Sequence, residues 1–202
     1  LVSRSGRVKH AGQGLEQRLE ALRATGATVL IERCDMGSEA EVSSLLSRVR
    51  ADHGPLRVVV HAAGCLSDAL LGKQSAESMR AVFAPKADGA WYLHKHTQED
   101  SLSAFVLFSS PASLFGVRSG SNYSSANSYL DALARYRAAR GLPAVSICWP
   151  SISGVGLAAA LAGLHIDETL SLDPATMKCF LHRAMRQPEA VATVLTAEYV
   201  EM

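Results

Sequence analysis

The sequence contains no long apolar run, no paired cysteine motif and no excess of charge of either sign. No apolar stretch reaches the ~18–20 residues that a helix needs to cross a bilayer, and the chain opens directly into LVSRSGR without a signal-peptide pattern. Twenty basic and nineteen acidic residues give a net charge of +1, which does not indicate binding to nucleic acid or to an anionic membrane surface. Any anion site is therefore expected to be local and built from a few arginines.

The four cysteines lie in apolar or strand-like settings, which predicts free, buried thiols in a reducing compartment and hence a cytoplasmic protein. They are Cys34, Cys65, Cys148 and Cys179. The seven histidines are scattered along the chain. His94 and His96 are two residues apart on a predicted helix and do not share a face, so the sequence predicts no metal site.

Apolar runs alternate with helical stretches, which is typical of a parallel sheet covered by helices. The 202 residues, 48% of them hydrophobic, suit one α/β domain with a substantial core. We predict a single Rossmann-like domain over residues 1–202, with a doubly wound parallel sheet and helices on both faces. Strands are predicted at residues 1–3, 27–32, 56–61, 104–108, 144–149 and 192–199. Helices are predicted at 14–25, 38–53, 75–83, which breaks and resumes after Pro85 to about 96, 123–140 and 174–185.

A dinucleotide-binding fold needs a glycine-rich turn between its first strand and first helix, where backbone N–H groups hold the pyrophosphate. No GxGxxG follows a strand in this sequence. Neither residues 12–14 (GQG) nor residues 153–156 (SGVG) have the required strand-turn-helix context. Because the chain opens partway along a strand, we expect the first strand and its glycine-rich loop to be absent from it.

Polar and small residues follow several predicted strands, at the sheet edge where folds of this kind bind ligands. The most informative are Ser110, just after a strand, and Tyr123 and Asn127, four residues apart on the next helix. A tyrosine hydroxyl with its ordinary pKa of about 10 is a weak acid, and a nearby ammonium group such as that of Lys86 would stabilise its anion. Taken singly, these residues are equally well explained as a turn serine, a chance YxxxN pair and a solvated lysine.

The segment FVLFSSPASLFGVRSGSNYSSANSYLDALARYRAARGLPAVSICW resembles the ketoreductase domains of type I fatty acid and polyketide synthases, a branch of the short-chain dehydrogenase/reductase superfamily. In the wider superfamily a lysine follows the tyrosine by four residues. In ketoreductase domains that place holds asparagine, and the lysine comes from an earlier helix. This chain has Asn127 in that place and Lys86 in APKADGAWYLH, and the resemblance extends from LVSRSGR to about Tyr199.

The resemblance implies reduction of a 3-oxoacyl thioester by NADPH, with the substrate carried on an acyl carrier protein within a multidomain synthase. Ser110 and Tyr123 would polarise the ketone, and Tyr123 would supply the proton. Lys86 would stabilise the tyrosine anion, while Asn127 would keep the proton relay in place. Neighbouring synthase domains are the other expected partners.

The resemblance also implies cofactor contacts at three strand ends. Ser3 and Arg4 would bind the adenosine 2′-phosphate, since a guanidinium suits a phosphate and selects NADPH over NADH. Asp35 would bond the adenine amino group, with Met36 beside the ring. In VVHAAG, the small residues Ala62, Ala63 and Gly64 would let the backbone approach the ribose. Each has a plainer reading as an exposed arginine, a turn aspartate or tight packing.

Stereocontrol and a lid complete the implied site. Leu66-Ser67-Asp68 keeps two of the three residues of an LDD motif that resembles that of reductases giving a (3R)-hydroxyacyl product. The opposite hand is associated with a tryptophan eight residues before the tyrosine, where this chain has Phe115. Residues 154–173, small and apolar, would form a lid over the acyl chain. Pro150 replaces the glycine that is usual in the family after Trp149.

Two alternatives remain open. A chain without a phosphate loop could be the non-catalytic half of a ketoreductase region, which only supports the catalytic half. That half would lack the serine, tyrosine, asparagine and lysine set present here. Another reductase of the superfamily, acting on a small alcohol or ketone, predicts lysine at position 127, where the sequence has Asn127.

Overall fold

The structure is a computed structural model that describes residues 1–8, 14–154, 171–186 and 189–195. Its strands are β1 (Val2–Ser3), β2 (Glu32–Arg33), β3 (Val58–His61), β4 (Ala104–Ser109), β5 (Val145–Cys148), β6 (Ser151–Ile152), β7 (Ser171–Leu172) and β8 (Val191–Thr193). Its α-helices are α1 (Leu15–Ala24), α2 (Glu39–His53), α3 (Ala76–Phe83), α4 (Gly89–His96), α5 (Ala112–Phe115), α6 (Ser121–Ala139) and α7 (Pro174–Ala184). A 3₁₀ turn spans Leu71–Lys73, and a π-helical turn spans Ala84–Asp88.

Every strand pairing in the described residues is parallel. The central sheet has the order β3-β4-β5-β8, while β1 pairs with β2 and β6 pairs with β7. Helices join the strands of the central sheet, as parallel connections require. The predicted α/β class with a parallel sheet is confirmed.

Two apolar clusters lie on opposite faces of the central sheet because side chains alternate along each strand. Phe105 and Leu107 of β4 face one cluster, which includes residues of α2, α4 and α6. Ala104 and Val106 face the other, which includes Ala184 of α7. Helices therefore cover both faces, as the sequence predicts. On β3, Val58 and Val60 remain 42% and 49% exposed, so the described residues leave this edge of the sheet partly uncovered.

The prediction of a strand over residues 27–32 is wrong for most of that range. Only Glu32 and Arg33 form a ladder, because β1 offers just two residues as a partner. One further contact precedes the ladder, in which the Leu1 amino group donates to the Leu30 carbonyl oxygen at 2.8 Å. Local β propensity does not make a strand where no neighbouring strand accepts its hydrogen bonds.

Other boundaries differ by a few residues. The long helix α6 begins at Ser121, so Tyr123 lies in its first turn and does not open it. The helix predicted to break at Pro85 continues through the π-helical turn into α4. For the last predicted strand, β8 covers Val191–Thr193, and residues 196–199 lie outside the described residues.

The four cysteines are free, as predicted, but not all are buried. Cys34 and Cys148 are buried, Cys65 is partly buried and Cys179 is exposed on α7. The structure thus corrects the burial predicted for two of the thiols. Within the described segments, no helix combines the length and the apolar character needed to cross a membrane.

Candidate active site

The candidate site lies at the carboxyl ends of β3, β4 and β5. Their register places His61 of β3 beside Leu107 of β4, and Ser109 of β4 beside Cys148 of β5. The segments that follow these strands therefore start at one edge of the sheet. They contain most of the residues singled out from the sequence.

A separate cleft of about 540 Å³ opens near the amino ends of β4 and β5, between α6 and α7. Parallel α/β sheets bind ligands at the opposite edge.

Lys86 reaches this edge from the π-helical turn between α3 and α4. Pro85 has no N–H to donate within the turn, and widened turns of this kind often occur at functional sites. Lys86 is buried, and its Nζ donates to the Phe108 carbonyl oxygen at 2.9 Å. Burial lowers the pKa of Lys86 to about 8, although the negative charge of Asp131 partly offsets the effect. At neutral pH Lys86 is therefore mostly protonated, and it loses its proton in the mildly basic range.

Tyr123 and Asn127 lie one helical turn apart on α6. The Asn127 Nδ2 donates to the Tyr123 carbonyl oxygen at 2.8 Å, and the Ser109 Oγ donates to the Asn127 carbonyl oxygen at 3.3 Å. The Lys86 Nζ is 5.6 Å from the centroid of the Tyr123 ring. Lysine, tyrosine and asparagine thus come together, as the sequence hypothesis requires.

One polar atom at the centre of this group is unsatisfied. The Asn127 Oδ1 is buried and has no hydrogen-bond partner among the described residues. A buried carbonyl oxygen without a donor costs free energy. It therefore marks a place where a water or a ligand N–H or O–H would be accommodated.

Ser110 follows β4 directly and is partly buried. Its Oγ accepts from the Ala112 N–H at 3.3 Å, and its carbonyl oxygen accepts from the Ser113 N–H at 2.9 Å. These contacts fix the turn that leads into α5. The structure therefore supports the turn interpretation of Ser110 and also places the residue at the edge where the catalytic interpretation needs it.

His61 lies beneath this group and was missed by the sequence reasoning. It is the last residue of β3, and its Nε2 donates to the Lys86 carbonyl oxygen at 2.8 Å. Burial lowers the pKa of His61 to about 4, and the nearby Lys86 charge acts in the same direction. A neutral imidazole therefore anchors the backbone of the π-helical turn. The sequence feature that could have indicated this role is a polar residue at the end of a valine-rich strand.

A second group of candidate residues lies on the β1–β2 pair. Ser3 ends β1, and its hydroxyl both donates to the Arg7 carbonyl oxygen at 2.9 Å and accepts from the Arg7 N–H at 3.1 Å. The turn that these bonds close carries Arg4, which is exposed. Ion pairs found in the described segments do not include Arg4. The guanidinium is thus available to an anion beside the end of β1.

Asp35 and Met36 follow β2 and turn into α2. The Asp35 Oδ1 accepts from the Gly37 N–H at 2.9 Å, so this carboxylate has the turn role that its sequence context suggests. Met36 packs partly against the cluster that includes α2 and α4. A Cβ on Gly89 would come within 2.9 Å of the Met36 carbonyl oxygen, so only glycine allows this close approach of α4.

The small residues Ala62, Ala63 and Gly64 follow β3, and Ala62 and Gly64 are exposed. A Cβ on Gly64 would lie 3.3 Å from the Lys86 Cε, so a larger residue would press on the buried lysine. The requirement for small side chains here is therefore partly structural. The exposed backbone is also compatible with the close approach of a ribose.

The loop at Leu66–Asp68 is fastened to the start of α6. The Asn122 Nδ2 donates to the Ser67 carbonyl oxygen at 2.8 Å, and the Ala69 N–H donates to the Ser119 carbonyl oxygen at 2.8 Å. The buried Asn122, next to Tyr123, was not singled out from the sequence. The only sequence feature that could have indicated a role for Asn122 is its position immediately before Tyr123. Phe115 ends α5 and is 67% exposed, so it does not pack into the interior.

Most of the predicted lid, residues 155–170, lies outside the described residues. Its two ends are described, and they meet. Ser151 pairs with Ser171 and Ile152 with Leu172 in the β6–β7 pair. Pro150, which precedes β6, is buried. The residues just before and just after the segment 155–170 therefore lie side by side, next to the end of β5.

Comparison with known families agrees with this architecture. A family model described as the KR domain matches residues 1–154, which is more than half of the 202 residues. The fold has the architecture of the short-chain dehydrogenase/reductase class. Within that class, the chain belongs to the KR domain family.

Similar proteins and solved structures agree with this family assignment. The chain is 45% identical over 176 residues to the spectinabilin polyketide synthase system protein NorB of Streptomyces orinoci, covering 82% of this chain and 8% of that protein. It is 38% identical over 181 residues to the mycoketide-CoA synthase of Mycobacterium tuberculosis, covering 87% of this chain and 4% of that one. The ketoreductase PlmKR1 from phoslactomycin biosynthesis in Streptomyces sp. HK803 superposes with a TM-score of 0.84 at 31% identity, covering 97% of this chain and 46% of that one. The chain thus spans less than half of each of these proteins.

Proposed function

We propose that this chain carries the catalytic part of a polyketide or fatty acid synthase ketoreductase, within a single domain over residues 1–202. It would reduce a 3-oxoacyl thioester, held on an acyl carrier protein domain of a larger synthase, to the 3-hydroxyacyl thioester. The observation that carries the proposal is the convergence of buried Lys86, Tyr123 and buried Asn127 at the carboxyl end of β4. Family membership and the polyketide synthase relatives support it.

In the proposed reaction, Tyr123 donates its hydroxyl proton to the ketone oxygen as the β-carbon becomes tetrahedral. Ser110, at the turn after β4, holds the same oxygen through its hydroxyl. Two donors on one oxygen favour the negative charge that develops there over the neutral ketone. When bound, the nicotinamide cofactor supplies the hydride.

Lys86 acts on the tyrosine through charge. Its ammonium, 5.6 Å from the Tyr123 ring centroid, stabilises the phenolate that remains after the proton has left. With its pKa lowered to about 8, Lys86 is still mostly protonated at neutral pH. The unsatisfied Asn127 Oδ1 is placed to accept from a water, so that a proton can be returned to Tyr123 from solvent.

The described residues fit a dinucleotide cofactor with a 2′-phosphate at the sheet edge. Arg4 presents a guanidinium on a turn fixed by Ser3, which suits the adenosine 2′-phosphate and favours NADPH. The exposed backbone at Ala62 and Gly64 suits the ribose. Asp35 would accept from the adenine amino group with its carboxylate, and Met36 would lie beside the adenine ring.

We further propose a (3R)-hydroxyacyl product. Leu66 and Asp68 belong to a loop that Asn122 holds against the first turn of α6, next to Tyr123. In this proposal the loop would border one entrance to the acyl-binding groove, and the exposed side chain of Phe115 would border the other. Residues 154–173 would close over the acyl chain, starting and ending at the β6–β7 pair.

The direct test is an assay of the full-length protein with NADPH and a short 3-oxoacyl thioester. We expect stoichiometric cofactor oxidation and a 3-hydroxyacyl product that is predominantly 3R by chiral chromatography. A predominantly 3S product would overturn the stereochemical assignment alone. A folded protein that reduces no 3-oxoacyl thioester would overturn the proposed function and favour a non-catalytic module.

A further inference from the structure

Asp131 is the only acidic side chain that is buried among the described residues, with 3% of its surface exposed. It follows Asn127 by one turn of α6 and Tyr123 by two, so all three lie along one helical face. The Ser146 Oγ donates to the Asp131 Oδ1 at 2.6 Å, and the Cys148 Sγ lies 3.7 Å from its Oδ2. Hydrogen bonds from β5 therefore hold a carboxylate directly behind the candidate catalytic residues.

No ion pair in the described segments includes Asp131. A buried charge without an opposite charge nearby costs free energy. A buried cation in the same part of the interior would therefore stabilise the ionised Asp131 carboxylate. Lys86 is the only buried lysine of the described residues, and it too lacks a carboxylate within ion-pair distance. Arg137 is also buried, but its guanidinium lies over the Phe105 ring and contacts His94.

Lys86 and Asp131 are held at adjacent places on the sheet, because the Lys86 Nζ donates to the Phe108 carbonyl oxygen and Asp131 accepts from Ser146. Ser146 pairs with Leu107, the residue before Phe108.

Four groups act on Lys86. The Tyr123 ring centroid lies 5.6 Å from its Nζ, and the neutral His61 donates to its carbonyl oxygen. Asp131 and, to a smaller degree, Cys65 act on its ammonium through charge. Burial lowers the pKa of Lys86, the Asp131 charge opposes that change most strongly, and Cys65 opposes it less. Charges interact strongly across a low-dielectric interior even without contact.

We propose that Asp131 is a positioning residue of this reductase site, whose buried carboxylate keeps Lys86 protonated and fixes the face of α6 that carries Tyr123 and Asn127. The inference rests on the proposed function. Asp131 does not touch the reacting atoms and acts only through Lys86. A protonated Lys86 is what stabilises the Tyr123 anion, so loss of the Asp131 charge reduces the rate wherever Lys86 loses its proton.

The test is Asp131→Asn in the full-length protein, with kcat for thioester reduction measured from acidic to basic pH. Asparagine keeps the size of the side chain and can still accept from Ser146, but it removes the charge. Lys86 then releases its proton at lower pH, so the basic limb of the kcat profile moves to lower pH. We expect a shift of about one pH unit, which is about a tenfold loss on the basic side, and a much smaller loss at pH 6.

Ser146→Ala is the matched control because it removes the hydrogen bond to Asp131 and keeps the charge. We expect it to lower the melting temperature and leave the basic limb in place. Asp131→Ser supplies a second uncharged variant if Asp131→Asn does not fold. A merely structural Asp131 would lower kcat equally at every pH in both uncharged variants, which would overturn the inference.

A second readout does not depend on activity. The reactivity of Lys86 toward acetic anhydride, measured against pH by mass spectrometry of its peptide, reports the protonation of the amine directly. We expect its midpoint to move to lower pH in Asp131→Asn and to stay in place in Ser146→Ala. If the midpoint moves in a protein that reduces no thioester, the charge coupling holds and the proposed function fails. If the midpoint stays in place in Asp131→Asn, the inference is overturned.

Discussion

The interior around α6 and the β1–β2 pair both carry candidate site residues, but they hold them in opposite ways. In the interior, Lys86, Asn127 and Asp131 are buried, and hydrogen bonds to neighbouring strands fix each one. In the β1–β2 pair, each strand contributes only two residues to the ladder, and the nearby Arg4 is exposed. The first region encloses ionisable groups in a low-dielectric space, and the second presents a charge to water.

This difference determines what each region can contribute. Buried charges shift pKa values and are barely screened by salt, whereas exposed charges act over short distances and are screened. Changes in the interior are therefore expected to alter the rate, its pH dependence and the stability of the fold. Changes on the β1–β2 pair are expected to alter which cofactor binds, with little effect on the chemical step.

The largest expected effect comes from Lys86→Met, which keeps the length of the side chain and removes the ammonium beside Tyr123. Without that charge the tyrosine anion is not stabilised, and we expect thioester reduction to fall about 10²–10⁴-fold, the range for loss of acid–base catalysis. Steady-state kinetics with NADPH measures the change. Lys95→Met, at an exposed ion pair on α4, is the control and should retain nearly the wild-type rate. Equal rates for the two variants would remove Lys86 from the site.

A smaller effect is expected from the buried His61. Its pKa is about 4 in the folded chain and about 6.5 when unfolded, so between these values only the unfolded chain takes up the proton. The free energy of unfolding therefore falls as the pH drops below about 6.5, by about 3 kcal/mol at pH 4 from this group. His94, whose pKa is also lowered by burial, acts in the same direction.

Denaturant unfolding at several pH values measures this contribution. His61→Gln should flatten the loss of stability between pH 6.5 and 4, because the glutamine amide does not titrate. His53→Gln, at the exposed end of α2, should keep the wild-type slope. Identical slopes in all three proteins would show that the His61 imidazole is not held neutral.

The smallest expected effect belongs to the β1–β2 pair. Arg4→Ala removes a charged hydrogen-bond donor that is worth about 1.5–3 kcal/mol, so we expect NADPH binding to weaken by roughly ten- to a hundredfold and NADH binding to change little. The difference should shrink in high salt because the site is exposed. Calorimetric titration of both cofactors measures it, with Arg135→Ala on the far part of α6 as the control. Equal losses for NADPH and NADH would show that Arg4 does not read the 2′-phosphate.

The interior was the more predictable region from sequence. The apolar runs of β3, β4 and β5 form strands, of which β4 and β5 are largely buried, and α6 has a clear helical pattern. The edge of the sheet near Ser110 and Tyr123 could therefore be predicted. Lys86 was a candidate because Tyr123 needs a nearby ammonium group, and the resemblance supported it. The π-helical turn that directs this lysine inward has no simple sequence pattern. Asp131 was overlooked, although its spacing from Tyr123 and Asn127 follows the helical repeat.

The outer region was less predictable because its structure depends on pairing. Residues 27–31 have strand-like composition, yet only Glu32 and Arg33 find hydrogen-bond partners on β1. The turn fixed by Ser3 depends on a side chain closing on Arg7, which a local pattern does not reveal. Burial of the cysteines was also overpredicted, because Cys179 lies on the solvent-facing side of an amphipathic helix.

The central claim is that Tyr123 supplies the proton in ketone reduction, and Tyr123→Phe tests it most directly. Phenylalanine fills the same volume and removes only the hydroxyl, so the melting temperature should be unchanged while single-turnover reduction of a 3-oxoacyl thioester falls about 10²–10⁴-fold. Tyr129→Phe, on an exposed part of the same helix, should keep nearly the wild-type rate. If Tyr123→Phe retains more than about a tenth of the wild-type rate, a loss well below that expected for a general acid, Tyr123 is not the proton donor.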